Sequence, residues 1–425
     1  MSTAKSTAPA EPGFELSARH RAFRAEVAGV VAAGVAPGAA EANARQVFPA
    51  AAVAALAGAG LLGVQVSKPW GGRGLGATEL ALTVEEVSRV CASTGVIASV
   101  HNSLVCAPLE RHGTAAQRER WLRPLASGAH LGAFALTEPE AGSDAAGITT
   151  RATRDGAGGG WVLDGEKRYI TNAGEAALIV VFAVTAPDAP RRRVTAFLVP
   201  RETPGLTVGP RRNKLGVQAA STCDLTFSAC RVPDGAVLGE PGEGLAVAFG
   251  ALERGRVGIA AQALGIAQAC LDASLARVRA RRQFGRPLAD YQAIQFAVAD
   301  MAVEVEASRL LTYRAAARQD AGLPAAADAS MAKLYASEAA NRAATKAVQL
   351  HGALGYMREG EVERYFRDAK VTEIYEGTSE IQRLLIARHL LQPAPAPAPA
   401  SPGGPGPGGP GPDAGERPAP QREKA

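Results

Sequence analysis

The run Ile374-Tyr375-Glu376-Gly377-Thr378-Ser379-Glu380-Ile381-Gln382-Arg383 carries more information than any other stretch of this chain. It places one carboxylate, Glu376, directly before a Gly-Thr-Ser turn that leads into an amphipathic helix opening near Ile381. Such a turn can aim the carboxylate into a cleft and leave N–H and O–H groups free to bind a ligand. Thr378 or Ser379 also has the form of an ordinary helix N-cap. The segment alone therefore leaves both interpretations open.

The size and composition of the chain limit its class. Its 425 residues are too many for one small core and predict two or three structural units. Hydrophobic residues make up 47% and charged residues 20%, as in soluble globular proteins. The formal net charge is +5, but the densest basic run is only Arg191-Arg192-Arg193, so no nucleic-acid partner is indicated.

Targeting signals and metal ligands are not indicated by the sequence. We find no signal-peptide pattern at the N-terminus and expect no apolar run that approaches the length of a membrane span. The cysteines form no CxxC pair and have no histidine at zinc spacing, which predicts reduced thiols, a cytoplasmic location and no metal site. They are Cys91, Cys106, Cys223, Cys230 and Cys270.

Composition divides the chain into segments. Residues 14–130 are helical in pattern, residues 131–237 contain short β-branched runs, and residues 238–392 are helical again. This order predicts an α+β protein with a ligand cleft between units. Residues 1–13 and the Pro/Gly-rich residues 393–425 are predicted to be disordered, because they contain too few apolar side chains to offset the entropy of ordering.

Two local predictions concern the borders of these units. Asp164-Gly165 lies between two β-like runs, which predicts a hairpin with a type I′ turn. A long helix is predicted to open at the run Leu252-Glu253-Arg254-Gly255-Arg256 and to close at Arg281.

A second chemical motif lies at Phe134-Ala135-Leu136-Thr137-Glu138-Pro139-Glu140-Ala141-Gly142-Ser143-Asp144. Hydroxyls at Thr137 and Ser143 flank a turn that contains Pro139 and Gly142. The turn offers N–H and O–H donors to a polar ring or a phosphate, although a lone turn of this kind is more often an ordinary hydrophilic β-turn.

The two motifs closely resemble segments of the acyl-CoA dehydrogenase family. With Tyr169–Thr171, Arg281–Gly285 and Gln349–Tyr356 they make five separated motifs in the family's order, and the resemblance covers about residues 14–392. It implies an N-terminal helical domain, a middle β-barrel or sandwich domain and a C-terminal four-helix bundle. It also implies a homotetramer, built as a dimer of dimers, that holds FAD.

The resemblance implies the residues that bind the cofactor. Tyr169 stands where the family more often has Trp, and Ala353 replaces a glycine in a segment that touches the flavin of a neighbouring subunit. Arg281 would contact the FAD pyrophosphate. The full implied set is Phe134, Leu136, Thr137, Gly142, Ser143, Tyr169, Ile170, Thr171, Arg281, Phe284, Gln292, Gln349, Gly352, Ala353, Thr378 and Glu380.

The implied reaction is the α,β-dehydrogenation of an acyl-CoA thioester. Glu376 would remove the α-proton while the β-hydrogen passes as hydride to flavin N5, and electrons continue to an electron-transferring flavoprotein. Some family members carry the base at the position of Gly255, which cannot serve here. Glu253 lies about 200° away around a helix and points elsewhere. Substrate contacts are implied for Ser143, Glu253, Arg256 and Gly377.

The acyl chain is not fixed by the sequence. The Glu376 segment resembles short-chain, butyryl-type enzymes, whereas other segments resemble enzymes of 2-methyl-branched acyl groups. The implied substrate is therefore a short acyl-CoA, straight or 2-methyl-branched. A flavin-dependent oxidase on the same fold and a non-catalytic acyl-CoA-binding scaffold remain as alternatives.

Overall fold

The computed structural model describes residues 15–156, 159–189 and 192–391. The predictions of disorder for residues 1–13 and 393–425 lie outside these ranges. The first part of the described chain is helical, and Ser17 caps its first helix by accepting a hydrogen bond from the His20 amide at 3.2 Å. The helices are α1 (Ala18–Gly34), α2 (Ala36–Ala44), α3 (Ala50–Gly58), α4 (Ala77–Val90), α5 (Ala92–Val100), α6 (Ala107–His112), α7 (Ala115–Gln117) and α8 (Arg123–Ala126).

A buried segment with a wider helical turn connects α5 to α6. His101–Cys106 form a π-helical segment in which every residue is buried. The Asn102 side chain donates to the Leu61 carbonyl at 3.1 Å and accepts from the Val64 amide at 3.1 Å. These bonds fix the segment against the preceding loop, and π-helical turns of this kind are frequent at functional sites.

The middle part of the chain is one mixed sheet. Its strand order is β6-β7-β3-β2-β4-β5-β8, and β1 pairs in parallel with β4. One face packs into the large core that the helices share, and the other face closes over a second core of its own. The strands are β1 (Gly132–Ala135), β2 (Arg151–Arg154), β3 (Trp161–Thr171), β4 (Leu178–Val184), β5 (Val194–Pro200), β6 (Leu206–Val208), β7 (Thr222–Val232) and β8 (Val237–Leu238).

The hairpin predicted at Asp164-Gly165 is wrong. Trp161–Thr171 form one continuous strand, and its register against β7 shifts between Leu163 and Gly165, as at a β-bulge. Gly165 has a φ of 143°, and a Cβ there would lie 2.8 Å from the Thr150 Cα. The Asp-Gly pair therefore serves a close approach of two backbones rather than a chain reversal.

Helices return after the sheet. Here α9 packs against α4, α5, α10, α11 and α13 and forms the centre of the fold. It begins at Gly244. The run that contains Glu253 and Gly255 therefore lies in its third and fourth turns, whereas the sequence predicted it at the start of the helix. The elements are α9 (Gly244–Ala280), β9 (Arg282–Gln283), β10 (Arg286–Pro287), α10 (Gln292–Asp320), α11 (Ala326–His351), α12 (Ala353–Tyr356), α13 (Glu361–Lys370) and α14 (Ser379–Leu391).

Helix α9 is long and apolar enough to cross a membrane by length and composition alone. The expectation that no run reaches that length is thus wrong on those two criteria. However, 72% of its most apolar window is buried inside the protein. The core helix of a globular protein meets the same criteria, so this is weak evidence for a membrane span.

Candidate active site

Glu376 lies on a left-handed turn between α13 and α14. Its φ is 55°, and that of Gly377 is 97°, so two consecutive residues occupy a region that a side chain disfavours. A non-glycine residue in this region costs about 1–3 kcal/mol and persists where its surroundings fix it. The side-chain amide of Gln382 donates to the Gly377 carbonyl at 2.9 Å and to the Glu376 carbonyl at 3.3 Å. Thr378 acts as the N-cap of α14, because its hydroxyl accepts from the Ile381 amide at 3.4 Å.

The Glu376 carboxylate points into the protein. Both of its oxygens are buried, and neither has a hydrogen-bond partner among the described residues. Burial raises the pKa of this carboxyl from 4.5 to about 7, against the opposing effect of the cations Lys333 and Arg256. A carboxylate that is desolvated but held near charges in this way has a pKa suited to general-base work near neutral pH.

Gly255 of α9 lies directly against this carboxylate. A Cβ at Gly255 would overlap Oε2 of Glu376 and lie 2.9 Å from Cδ2 of Leu104 in the π-helical segment. Glu253, two residues earlier, is not among the groups that shift the pKa of Glu376 and acts instead on Arg256. The site thus contains room for one carboxylate, and Glu376 supplies it.

The same face of α9 continues from Gly255 through Gly258 to Gln262. Gly258 is so close to the buried Ser99 that a Cβ would overlap its Oγ. Further on, Gln262 is fully buried, accepts a hydrogen bond from the Tyr375 hydroxyl and donates to the Ala92 carbonyl at 2.9 Å. The face from Gly255 to Gln262 therefore ends at a polar bridge between two elements.

Sequence reasoning missed two residues of this site. Lys333 of α11 is fully buried and donates to the Gly377 carbonyl at 2.8 Å, and Gln262 holds Tyr375. Both residues carry the same signal, a long polar side chain within an alanine-rich apolar stretch of a core helix. Buried polar side chains of this kind have partners, and here those partners belong to the Glu376 segment.

The first group of predicted cofactor residues lies at the ends of β1 and β3. The Arg168 amide donates to the Thr137 carbonyl at 2.9 Å and joins the two segments. Beneath them, the buried Lys167 ammonium bonds to Glu138 at 2.8 Å and to the Leu136 carbonyl at 3.0 Å, and it holds the pKa of Glu138 well below its usual range. Removing one member of such a pair costs about 3–5 kcal/mol.

This first group has the character of a binding surface. Nothing lies within 4 Å of a Cβ built at Gly142, and Ser143 is exposed. Tyr169 has a φ of 59° and is 61% exposed, whereas Ile170 is buried and Thr171 is half-buried. An open turn next to an unburied aromatic ring fits a flat, polar cofactor such as a flavin. Phe134 and Leu136 belong to the core below.

The second group lies at the far end of α9. Arg281 follows the helix directly, and Arg277, one turn earlier, donates to the His351 carbonyl at 3.4 Å. This contact brings Gly352 and Ala353 to the same end, where Gln292 begins α10. Arg281 is about 39 Å along the helix axis from Gly255, at 1.5 Å per residue.

The residues of this far group face outward. Phe284 is 95% exposed, and the other members are also exposed: Arg281, Gln292, Gln349, Gly352 and Ala353. An open groove of about 690 Å³ runs along α11 past Gln349 and reaches Ser379 and Glu380 in the first turn of α14. The described chain therefore presents two sets of predicted cofactor residues, and it does not bring all of them to one point.

Comparison with known families covers nearly all of the described residues. Residues 17–129 match the family model "Acyl-CoA dehydrogenase, N-terminal domain", residues 133–230 match the middle domain, and residues 242–391 match the C-terminal domain.

Individual relatives agree with these matches. The chain is 49% identical over 356 residues to the mitochondrial short-chain specific acyl-CoA dehydrogenase of Homo sapiens, which is 84% of this chain and 86% of the relative. Butyryl-CoA dehydrogenase from Megasphaera elsdenii superposes with a TM-score of 0.87 at 38% identity, over 90% of this chain and all of that one. A chain in the solved structure of the electron transferring flavoprotein of Acidaminococcus fermentans gives a TM-score of 0.88 at 38% identity, with the same coverage. The chain therefore belongs to the acyl-CoA dehydrogenase family of oxidoreductases.

Proposed function

We propose that this enzyme dehydrogenates a short acyl-CoA, straight or 2-methyl-branched, to the trans-2-enoyl-CoA, with Glu376 as the base that removes the α-proton. The observation that supports this role is the buried Glu376 carboxylate, whose oxygens have no hydrogen-bond partner among the described residues. Such a carboxylate is costly to the fold and is free to accept a proton. The position of the alternative base is Gly255, which has no side chain and lies in contact with the Glu376 carboxylate.

The site favours proton removal in two ways. A thioester α-proton is a weak acid, so the base must be poorly solvated, and burial raises the pKa of Glu376 to about 7. The substrate carbonyl must also accept hydrogen bonds that acidify the proton. The amide of Glu376 lies on the same turn as its carboxylate and can serve as such a donor. Ser143, Arg256, Glu253 and Gly377 remain proposed contacts of the acyl-CoA.

FAD is the proposed cofactor, and it would supply the acceptor for the β-hydrogen as hydride. Thr137, Gly142 and Ser143 would hold it on one side, and Tyr169 with Thr171 on the other, because the turn is open and Tyr169 is exposed beside it. The remaining proposed contacts of this group are Phe134, Leu136 and Ile170, and Thr378 and Glu380 at the start of α14 are further proposed contacts of the cofactor.

The α9 face is the proposed limit on the length of the acyl chain. Gly255 and Gln262 are seven residues apart, which is about 10 Å along a helix. We propose that the acyl chain extends from Glu376 along this face toward the hydrogen bond between Gln262 and Tyr375. An apolar chain long enough to separate that buried pair would leave polar groups unpaired. The human relative is named as short-chain specific, and the Megasphaera neighbour is named as a butyryl-CoA dehydrogenase.

A homotetramer is the proposed assembly. The far group at Arg281 and Phe284 is about 39 Å along α9 from Gly255, and therefore far from the proposed base. A second copy of the chain can instead bring its far group to the cofactor of the first. The Phe284 ring, which is 95% exposed, would be covered by such a contact.

Electron-transferring flavoprotein is the proposed electron acceptor. The Acidaminococcus structure, which concerns that flavoprotein, contains a chain with the fold described here. A cytoplasmic location is also proposed, since all five cysteines are free and buried.

The decisive experiment is Glu376→Gln. The amide keeps the shape of the side chain and the backbone amide of residue 376, but it cannot accept the α-proton. We expect normal flavin content and acyl-CoA binding, with flavin bleaching by butyryl-CoA slowed at least about 1,000-fold. The matched control is Glu373→Gln in the same segment, which should bleach at the wild-type rate. Bleaching of Glu376→Gln at a near wild-type rate would refute the assignment, and Glu253→Gln would then be tested.

A further inference from the structure

Lys333 is a buried cation in an otherwise apolar helix face. It lies in α11 among the buried alanines Ala329, Ala332 and Ala336, and its side chain is fully buried. In the described part of the chain, no carboxylate oxygen lies within 4.0 Å of its ammonium group. Burying an ammonium group without an ion-pair partner is costly. Lys333 therefore does not serve the fold as one partner of a structural salt bridge.

The contact that Lys333 makes is with the turn that carries Glu376. Its Nζ donates to the Gly377 carbonyl at 2.8 Å, and the side-chain amide of Gln382 donates to the same oxygen at 2.9 Å. The carbonyl of Gly377 is thus held from two helices, α11 and α14. This double contact fixes the Gly377–Thr378 peptide, one residue after the left-handed Glu376, whose φ of 55° needs support from its surroundings.

The charges around the carboxylate come from several elements. Lys333 from α11 and Arg256 from α9 are the cations that act on Glu376, and Arg256 is itself influenced by Glu253. Leu104 of the π-helical segment is apolar, and the Tyr375 phenol is bonded to Gln262. Two further carboxylates act on Lys333 rather than on Glu376, and these are Glu373 and Glu380.

From this arrangement we infer that Lys333 is a positioning residue for the catalytic base: it holds the Gly377 carbonyl, and with it the Glu376 turn, and it brings a positive charge to the buried Glu376 carboxylate. The inference rests on the proposed function, because it assigns Lys333 a role only through Glu376. It explains why a lysine, with both a donor and a charge, lies within an alanine face.

The electrostatics agree with the geometry. Burial raises the pKa of Glu376, and Lys333 is the larger of the two influences that oppose this rise. Burial also lowers the pKa of Lys333 to about 8, against the effect of Glu376. Loss of the Lys333 charge therefore raises the pKa of Glu376, and the carboxylate then becomes ionised only at a higher pH.

Three substitutions separate the two parts of the role. Lys333→Met removes both donor and charge, Lys333→Gln keeps an amide donor without the charge, and Lys333→Arg keeps the charge with a different reach. The measurement is kcat/KM for butyryl-CoA from pH 5.5 to 9 with the FAD-loaded enzyme and an artificial electron acceptor, since this ratio reports ionisations of the free enzyme. The matched control is the exposed Lys68→Met, with flavin content and Tm recorded for every variant.

We expect the acid-side midpoint to rise by about one pH unit in the Met and Gln variants, as loss of a nearby opposite charge requires. Below that midpoint, kcat/KM should fall about tenfold and recover as the pH rises. Lys333→Arg should keep the wild-type midpoint with a lower plateau, and Lys68→Met should match the wild type throughout.

Two results would overturn the inference. One is a wild-type midpoint in both neutral variants, because a purely structural lysine lowers the plateau without moving the midpoint. The other is a raised midpoint in Lys333→Arg, and this comparison holds even where the neutral variants do not fold. Either result obtained while Glu376→Gln stays inactive removes the role of Lys333 and leaves Glu376 as the base. Activity in Glu376→Gln would instead remove the proposed function.

Discussion

Gly255 of α9 and Glu376 of the α13–α14 turn are in direct contact, because a Cβ on the glycine would lie 3.0 Å from the carboxyl carbon of Glu376 and overlap its Oε2. The two residues are 121 positions apart in the chain and meet only in the tertiary structure. Because of this contact, α9 has no space for a second carboxylate beside that of Glu376. It also makes the glycine a functional residue although it has no side chain.

Replacement of Gly255 by Ala should therefore displace the Glu376 carboxylate. We expect a loss of about 100-fold in flavin reduction, the size associated with a misplacement of about 1 Å at a reacting group. Stability should change little, since alanine favours a helix interior. Gly250→Ala is the matched control, because nothing lies within 4 Å of a Cβ at that position of the same helix. Equal activity of both variants would contradict the contact.

The pKa of Glu376 also predicts how stability varies with pH. The folded protein binds this proton up to about pH 7, whereas the unfolded chain releases it near pH 4.5. The contribution of Glu376 to the free energy of unfolding therefore falls as the pH rises between these values, by an amount equivalent to about 3 kcal/mol at most. Glu376→Gln removes this pH-dependent loss of stability, because the amide does not titrate.

Urea unfolding of the wild type and Glu376→Gln at pH 5 and pH 7.5 measures the effect. The variant should gain stability relative to the wild type at the higher pH, while Glu373→Gln should follow the wild type. A constant difference between the variant and the wild type at both pH values would show that the carboxyl is not buried as described.

Chain length should depend on Gln262. Gln262→Ala removes the buried hydrogen bond with Tyr375 and opens the end of the α9 face. We expect the ratio of kcat/KM for octanoyl-CoA to that for butyryl-CoA to rise about tenfold or more, within the range that added apolar contact supplies. Gln268→Ala, which alters a half-buried glutamine of the same helix, should leave the ratio unchanged. An unaltered ratio in both variants would place the limit on chain length elsewhere.

Cofactor retention should depend on Arg281. Arg281→Ala removes a charge-assisted contact to the pyrophosphate, worth about 1.5–3 kcal/mol, and should lower FAD occupancy. The proposed assembly lets this arginine reach the cofactor of a neighbouring subunit, so cofactor loss should accompany dissociation in size-exclusion chromatography with light scattering. The exposed Arg279→Ala provides the control. A fully flavinated Arg281→Ala tetramer would contradict the proposal.

Local patterns predicted the kind of elements better than their ends. The sequence indicated helices, then strands, then helices, because apolar spacing reports which face of an element is buried. It misplaced the start of α9 by about two turns, because the helix begins at Gly244, which packs against the backbone of Val194 and Thr195 in β5, and no local pattern records that contact. It also placed a turn at Asp164-Gly165, where pairing with β7 keeps the strand continuous through a bulge. Turn propensity is local, and strand pairing over long separations overrides it.

By itself, the sequence determined the family, the order of its parts and the identity of Glu376 as the proposed base. Those features depend on residue types at short spacing, which a linear pattern records. Only the tertiary structure decided that Gly255 leaves the space for that carboxylate and that Gln262 and Lys333 hold its turn. Burial, and with it the raised pKa of Glu376, depends on side chains from distant helices excluding water together, and no local pattern specifies that arrangement.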